Sequence, residues 1–220
     1  MEYASFERAR LALEHKAPDR LPFDLGGTLV SAVNVKTLRE LRKHVRLPEN
    51  AEVCDKVTEI VPDADDLGTQ KGLLVSVDMY KKLIWPFHRN FFEFIKKNAK
   101  SKVYVFFPCD GDIREVIPLL IDAGVDILNP VQVNCPGMAD TRALQSEFGR
   151  ELTFWGGSCE SQSVLPFGPP AQVREETRRR IEDLDPGGGF VFAPIHVIQA
   201  EVPAENIMAW RETLQTYGCY

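Results

Sequence analysis

The sequence predicts an α/β protein built around a parallel sheet, and three observations predict it. Short β-rich runs alternate with amphipathic helical runs through the second half of the chain. Each β run closes on a polar or reactive cluster, the arrangement of α/β barrels that gather function at the carboxyl ends of their strands. The third is size: 220 residues, 44% of them hydrophobic and 26% charged, can bury one sizeable core. One domain over residues 1–220 is expected, with an amino-terminal part (1–50) and carboxyl-terminal βα units (64–220).

Taken in order, residues 6–15 read as a short helix that stops before Pro18, and residues 20–25 as a strand running into Gly26-Gly27-Thr28. Residues 37–45 carry Leu38, Leu41 and Val45 at helical spacing, ended by Leu47-Pro48-Glu49-Asn50. Residues 53–61 are apolar but irregular, and their pattern fits helix or strand. A long helix over 76–98 is capped by Ser76, with Met79, Leu83, Phe87 and Phe91 on a stripe read as core, and with a kink expected at Pro86.

Four βα units follow. Their β runs are 103–107, ending in Pro108-Cys109-Asp110-Gly111; 126–128, ending in Asn129-Pro130-Val131-Gln132; 152–155, ending in Gly156-Gly157-Ser158-Cys159-Glu160; and 190–193, ending in Pro194-Ile195-His196. Helices are expected over 112–123, stopped by Gly124; from Asp140 to Phe148, stopped by Gly149; over 171–184, opened by Pro169-Pro170; and after Pro203 with Ile207, Trp210, Leu214 and Tyr217 inward. The early half is short, so the barrel should hold five or six strands.

Charge and cysteine usage narrow the classes. A net charge of −6 argues against nucleic-acid or anionic-membrane binding, and the basic run from Arg174 to Arg180 alternates with Glu175 and Glu176 as a helix face would. No stretch approaches the ~20 apolar residues of a membrane span. Cys54, Cys109, Cys135, Cys159 and Cys219 are odd in number and lack zinc-finger spacing, which suits a reducing cytoplasm.

Several motifs together resemble the uroporphyrinogen decarboxylase superfamily: Asp66-Leu67-Gly68-Thr69-Gln70; Gly124-Val125-Asp126-Ile127-Leu128-Asn129-Pro130-Val131-Gln132; Phe154-Trp155-Gly156-Gly157 with Gln162 and Leu165-Pro166; and His196 with Gln199, Pro203, Glu205 and Asn206. Glu7-Arg8 and Pro18-Asp19-Arg20-Leu21-Pro22 resemble the family's amino terminus. The resemblance implies a TIM-type (β/α)8 barrel, incomplete here because the region between Glu49 and Ala64 is short. It also implies either corrinoid-dependent methyl transfer from a small methylated donor, a methoxylated aromatic or a methylamine, or porphyrinogen decarboxylation. The details are closer to the methyltransferase-like branch, whose corrinoid (cobalamin) comes on a partner protein. The arginine motif and the Phe-Ser-Asp motif of the decarboxylases are absent.

The zinc methyltransferases of that family carry His-x-Cys-Gly after one strand and a Cys after the last. The matching positions here are Pro108-Cys109-Asp110-Gly111 and His196, so Asp110, His196 and Cys109 are the candidate metal ligands. Asp110 and His196 are the candidate catalytic pair, with Gln132, Glu160, Gln162 and Asp66 as candidate substrate contacts. Cys159 is expected beside them in one concave pocket.

Bland alternatives stand beside these. Asp110 could cap the following helix, the cysteines could be core fillers, and His15, His44 and His88 are expected to be inert on helix surfaces or ends. A shortened barrel could instead be a non-catalytic module, and an open sheet edge would favour a homo-oligomer.

Overall fold

The computed structural model describes residues 5–24 and 60–219. The end of the first expected strand at Leu25, the Gly26-Gly27-Thr28 turn, the expected helix over 37–45, His44 and Cys54 lie outside the described residues. In chain order the elements are α1 (Ser5–Leu13), β1 (Ile60–Pro62), β2 (Gly68–Thr69), β3 (Gly72–Leu73), α2 (Val77–Met79) and α3 (Trp85–Asn98). There follow β4 (Tyr104–Pro108), α4 (Ile117–Ala123), β5 (Ile127–Asn129), α5 (Thr141–Phe148), β6 (Thr153–Trp155), α6 (Val164–Phe167), α7 (Pro170–Leu184), β7 (Phe190–Val191) and α8 (Ala204–Tyr217).

Five strands make one sheet in the order β1-β4-β5-β6-β7, and every neighbour is parallel. Residues 22–24 extend it. Phe23 bridges Phe192 in parallel, the Asp24 amide donates to the Phe192 carbonyl at 2.9 Å, and the Phe192 amide donates to Pro22 at 2.9 Å. The first strand of the chain therefore lies beside the last, which is how a (β/α)8 barrel closes. The described residues form an incomplete barrel. Of the run 53–61, left open between helix and strand, only residues 60 and 61 are described, and with Pro62 they form its β1 (Ile60–Pro62).

Period two along the strands sorts side chains into two layers. Tyr104, Phe106, Ile127, Trp155, Val191 and Ala193 fill the interior with Ala12 and Leu13 of α1. Their alternates Val105, Phe107, Leu128, Phe154, Phe190 and Phe192 pack outward on the helices. Both faces are dry, so the strands read as continuous apolar runs. Each large side chain buried in this way contributes about 1.5–3 kcal/mol. The end of α1 meets the turn into β7, where Gly188 and Gly189, at φ of 81° and 77°, pass against His15. That contact covers the amino end of the barrel and leaves the carboxyl end for function.

The long helix shows one feature that was not anticipated and one expectation that is corrected. Its path from α2 to α3 runs through a π-type turn, Tyr80–Ile84, just before Pro86, so the missing amide is absorbed by changed winding. The stripe read as core is exposed: Met79, Leu83, Phe87, Phe91 and Phe94 are 48–73% accessible. The face one residue further round, with Tyr80, His88 and Phe92, is buried instead. Its polar members satisfy each other, because Tyr80 Oη and His88 Nδ1 lie 3.0 Å apart and His88 Nε2 meets Asp65 Oδ2 at 2.8 Å. His88 is thus not a surface residue.

The basic run on α7 behaves as expected except at one position. Arg178 and Arg179 pair with Glu175, Glu182 and Glu176 along the helix, but Arg180 is buried and donates to the Ala139 carbonyl and Thr141 Oγ1. Among the described residues no helix is long and apolar enough to cross a membrane.

Candidate functional site at the carboxyl rim of the barrel

The chain leaves β1 and β4 at one end of the sheet, and the two exits touch through glycines. Gly111 has φ of 92°, and a Cβ there would stand 2.5 Å from the Gly68 carbonyl carbon; a Cβ on Gly68 would stand 2.6 Å from the Asp110 carbonyl oxygen. Only two glycines permit backbones to cross this closely. The crossing is locked by the Asp112 amide donating to Thr69 at 2.7 Å. It brings Asp66 beside Asp110, whose amide donates to Asp66 Oδ1 at 3.2 Å.

The chain beyond β7 delivers His196 to the same place. Its Nε2 lies 3.6 Å from Asp110 Oδ1, with both side chains partly exposed. Burial raises the Asp110 pKa; the His196 charge opposes that and the Asp66 charge adds to it. Among the described residues no capping bond involves the Asp110 side chain, so the helix-cap reading is corrected. That helix begins later, with a 3-10 turn at Arg114–Val116 and no side-chain cap.

His196 separates two cavities. One, of about 210 Å³, is lined by Asp65, Asp66, Cys109, Asp110, Asn129 and His196, with Ala64, Pro108 and Pro130. The other, of about 380 Å³, is lined by Gln162, Leu165, His196, Ile198, Gln199 and Val202 among others. A small ligand can meet His196 from either cavity and Asp110 from the smaller one. An acid and a base within reach of each other at a water-accessible mouth can hold, give or take a proton.

Of the candidate residues, Asp110, His196, Asp66 and Cys109 come together at the smaller cavity, and Gln162 lies at the larger. Three are placed otherwise. Gln132 is buried with its Oε1 accepting from the Gly111 amide at 2.7 Å, so it supports the crossing and lines neither cavity. Glu160 folds back on its own chain, accepting from the amides of Gln162, Ser163 and Val164 and from the Ser163 hydroxyl. Burial alone would raise its pKa, but those donors outweigh it and hold the carboxylate below its usual range. Cys159 is buried against Thr177 of α7, away from the pocket, and burial pushes its thiol up to about 12.

The reading missed Asp65, Asn129 and the His88–Tyr80 pair behind Asp65. Asp65 precedes the quoted Asp66 motif, and Asn129 sits inside another, so adjacency was the available signal.

A zinc ion does not fit the described donors. Asp110 and His196 are close enough to share one, but Cys109 is 1% exposed and accepts from the Leu67 amide at 3.4 Å. Burial pushes the Cys109 thiol up to about 12. Among the described residues no three His, Cys, Asp or Glu side chains group as metal ligands.

A parallel barrel wall with its polar side chains at the carboxyl rim defines the (β/α)-barrel class, with its site where such barrels place theirs. The chain belongs to the uroporphyrinogen decarboxylase (URO-D) family, whose model matches residues 51–217. It is similar in fold to a solved methyltransferase from Methanosarcina mazei, with a TM-score of 0.55 and 17% identity, over 73% of this chain. It spans only 43% of the length of that methyltransferase. No curated protein matches it.

Proposed function

We propose that this chain catalyses methyl transfer from a small methylated donor, with His196 and Asp110 as its acid–base pair. The observation that carries this is the 3.6 Å approach of Asp110 and His196 at the wall between the two cavities. The heteroatom that loses its methyl group must carry a proton: His196 delivers it to a neutral donor and, as neutral imidazole, accepts a hydrogen bond from a donor that arrives protonated, while Asp110 orients the ring. A well-placed general acid of this kind contributes about 10²–10⁴ in rate. A reduced corrinoid carried by a partner protein would supply the nucleophile that takes the methyl group. Cavities of about 210 and 380 Å³ suit a small donor but not a corrin ring, which would have to be presented at the mouth. Asp66 and Gln162, one at each cavity, position the donor.

Porphyrinogen decarboxylation is the weaker reading, because the substrate's carboxylates need cationic partners. Neither cavity is lined by a Lys or Arg among the described residues. Arg114 is engaged by Glu147 and the Gly137 carbonyl. The non-catalytic reading draws on β1 and residues 22–24, each of which pairs on one side only among the described residues.

The test uses purified chain with reduced cob(I)alamin and a methoxylated aromatic or methylamine, followed by the spectral change on methylation. Methyl transfer slowed at least ~10²-fold in His196→Ala supports the proposal. Carbon dioxide release from uroporphyrinogen, lost in the same variant, would replace it with the decarboxylase reading. A folded chain inactive in both assays, and dimeric by light scattering, would favour the non-catalytic module.

A further inference from the structure

We infer that the smaller cavity receives a protonated amine, so that the donor is an alkylammonium ion rather than a neutral methyl ether or a carboxylate. The inference rests on the reading of this rim as a ligand site, and it names that ligand's charge. Three carboxylates face the cavity, each with one oxygen anchored. Asp65 Oδ2 is held by His88 Nε2 at 2.8 Å, Asp66 Oδ1 by the Asp110 amide at 3.2 Å, and Asp110 Oδ1 faces His196 Nε2 at 3.6 Å. Their second oxygens take no hydrogen bond from a described residue, and no Lys or Arg lines the space among the described residues.

An independent observation points to a missing donor. Asn129, 1% exposed, lines the same cavity. Its Nδ2 donates to the Trp155 carbonyl at 2.7 Å, which fixes which end of the amide is oxygen. The oxygen, Oδ1, is buried without any hydrogen-bond partner. Buried acceptors are nearly always satisfied by protein, water or ligand, so the Asn129 oxygen beside this cavity has bonding capacity for a donor brought by the cavity's occupant.

Apart from His196, whose imidazole can accept as well as donate, the polar groups of the cavity wall are three carboxylates and one amide oxygen, all acceptors, with the Cys109 thiol buried. The complementary ligand carries both positive charge and N–H groups, and a primary, secondary or tertiary ammonium has both. A quaternary ammonium has charge without N–H and would leave Asn129 unpaired. A methyl ether has neither, and a carboxylate would be repelled. A divalent cation is disfavoured because no three acidic or His side chains group as ligands among the described residues. The apolar body of the amine would extend past His196 towards Leu165 and Ile198 in the larger cavity.

The test is equilibrium binding by calorimetry, with no methyl acceptor present, of N-methylpropylammonium, methyl propyl ether, tetramethylammonium, methoxybenzoate and Mg²⁺. N-methylpropylammonium should bind at least tenfold tighter than the ether and the quaternary ion. Its binding should fall at least tenfold in Asp66→Asn, which keeps an acceptor for the Asp110 amide, and also in Asp65→Asn if the first variant does not fold. Ether or benzoate binding as tightly as the amine, Mg²⁺ displacing it, or no loss in either folded variant would overturn the inference. Amine binding without demethylation would contradict the methyl-transfer proposal while leaving this inference standing.

Discussion

The exits from β4 and β6 carry the same pair of residue types, Cys109-Asp110 and Cys159-Glu160, with opposite outcomes. After β4 the backbone meets a second chain segment through Gly68 and Gly111, its amides find partners there and in Gln132, and the Asp110 carboxylate is left facing a cavity. After β6 the chain turns alone into the short helix α6, and Glu160 supplies acceptors for its first amides. An acid at a barrel rim is available for chemistry only when something else satisfies the local backbone. The difference lies in long-range contact, which dipeptide composition does not report.

The largest expected effect comes from breaking the crossing. Gly111→Ala forces a Cβ onto the Gly68 backbone at a positive φ, which costs at least the ~1–3 kcal/mol of a strained conformation and more if the segments separate. Chemical denaturation should show that loss together with weakened ligand binding. A variant of unchanged stability would mean that the crossing does not hold the rim.

A smaller effect sharpens the contrast. Because its folded pKa is raised, Asp110 contributes stability below the unfolded value of ~3.9 that is lost as pH rises through the folded pKa. Glu160, with a lowered pKa, contributes above the unfolded value of ~4.3, and that contribution is lost as pH falls through the folded pKa. Thermal melts across pH 3–7 should therefore find Asp110→Asn gaining on the parent as pH rises. Glu160→Gln should lose ~0.5–2 kcal/mol near neutrality, the usual range for a cap, and recover towards acid pH. Parallel pH profiles for the two variants would contradict the assignment of opposite roles.

The smallest effect concerns the two thiols. Cys109 and Cys159 are both 1% exposed with pKa values near 12, so both should alkylate slowly at neutral pH, while exposed Cys219 reacts first. Mass spectrometry of iodoacetamide-treated protein measures the order. Early labelling of Cys109 would show an open thiol and revive it as a ligand.

Much of the fold was legible because local signals agreed with it. Gly124, with φ of 105°, ends α4 as its position suggested, and Asp140 caps α5 through the Ala143 amide at 3.0 Å. The four later strands appear within a residue or two of their expected places. The exposed stripe on α3 was misread because two apolar faces lie one residue apart, and the buried one contains Tyr80 and His88. Their polarity is cancelled only by each other and by Asp65, a partner 23 residues before His88.

At the rim, the placement of Cys109, Asp110 and His196 was legible from their positions after expected strands, and that of Asp66 and Gln162 from the motifs that contain them. The roles of Gln132 and Glu160 were not, since both residues are occupied by backbone amides whose positions depend on the folded loop. Asp65 and Asn129 were passed over for the converse reason. A carboxylate beside a quoted motif and a buried amide inside one carry no periodic signal, and their importance rests on a cavity that exists only once β1, β4 and β5 stand together.

Single-turnover methyl transfer to cob(I)alamin, compared in the parent, His196→Ala, Asp110→Asn and Glu160→Gln, tests the central claim most directly. The account expects His196→Ala and Asp110→Asn each to slow transfer by about 10²-fold or more, and Glu160→Gln to stay near the parent rate under conditions where it is folded. Equal loss in Glu160→Gln and Asp110→Asn, or a His196→Ala rate equal to the parent's, would contradict it.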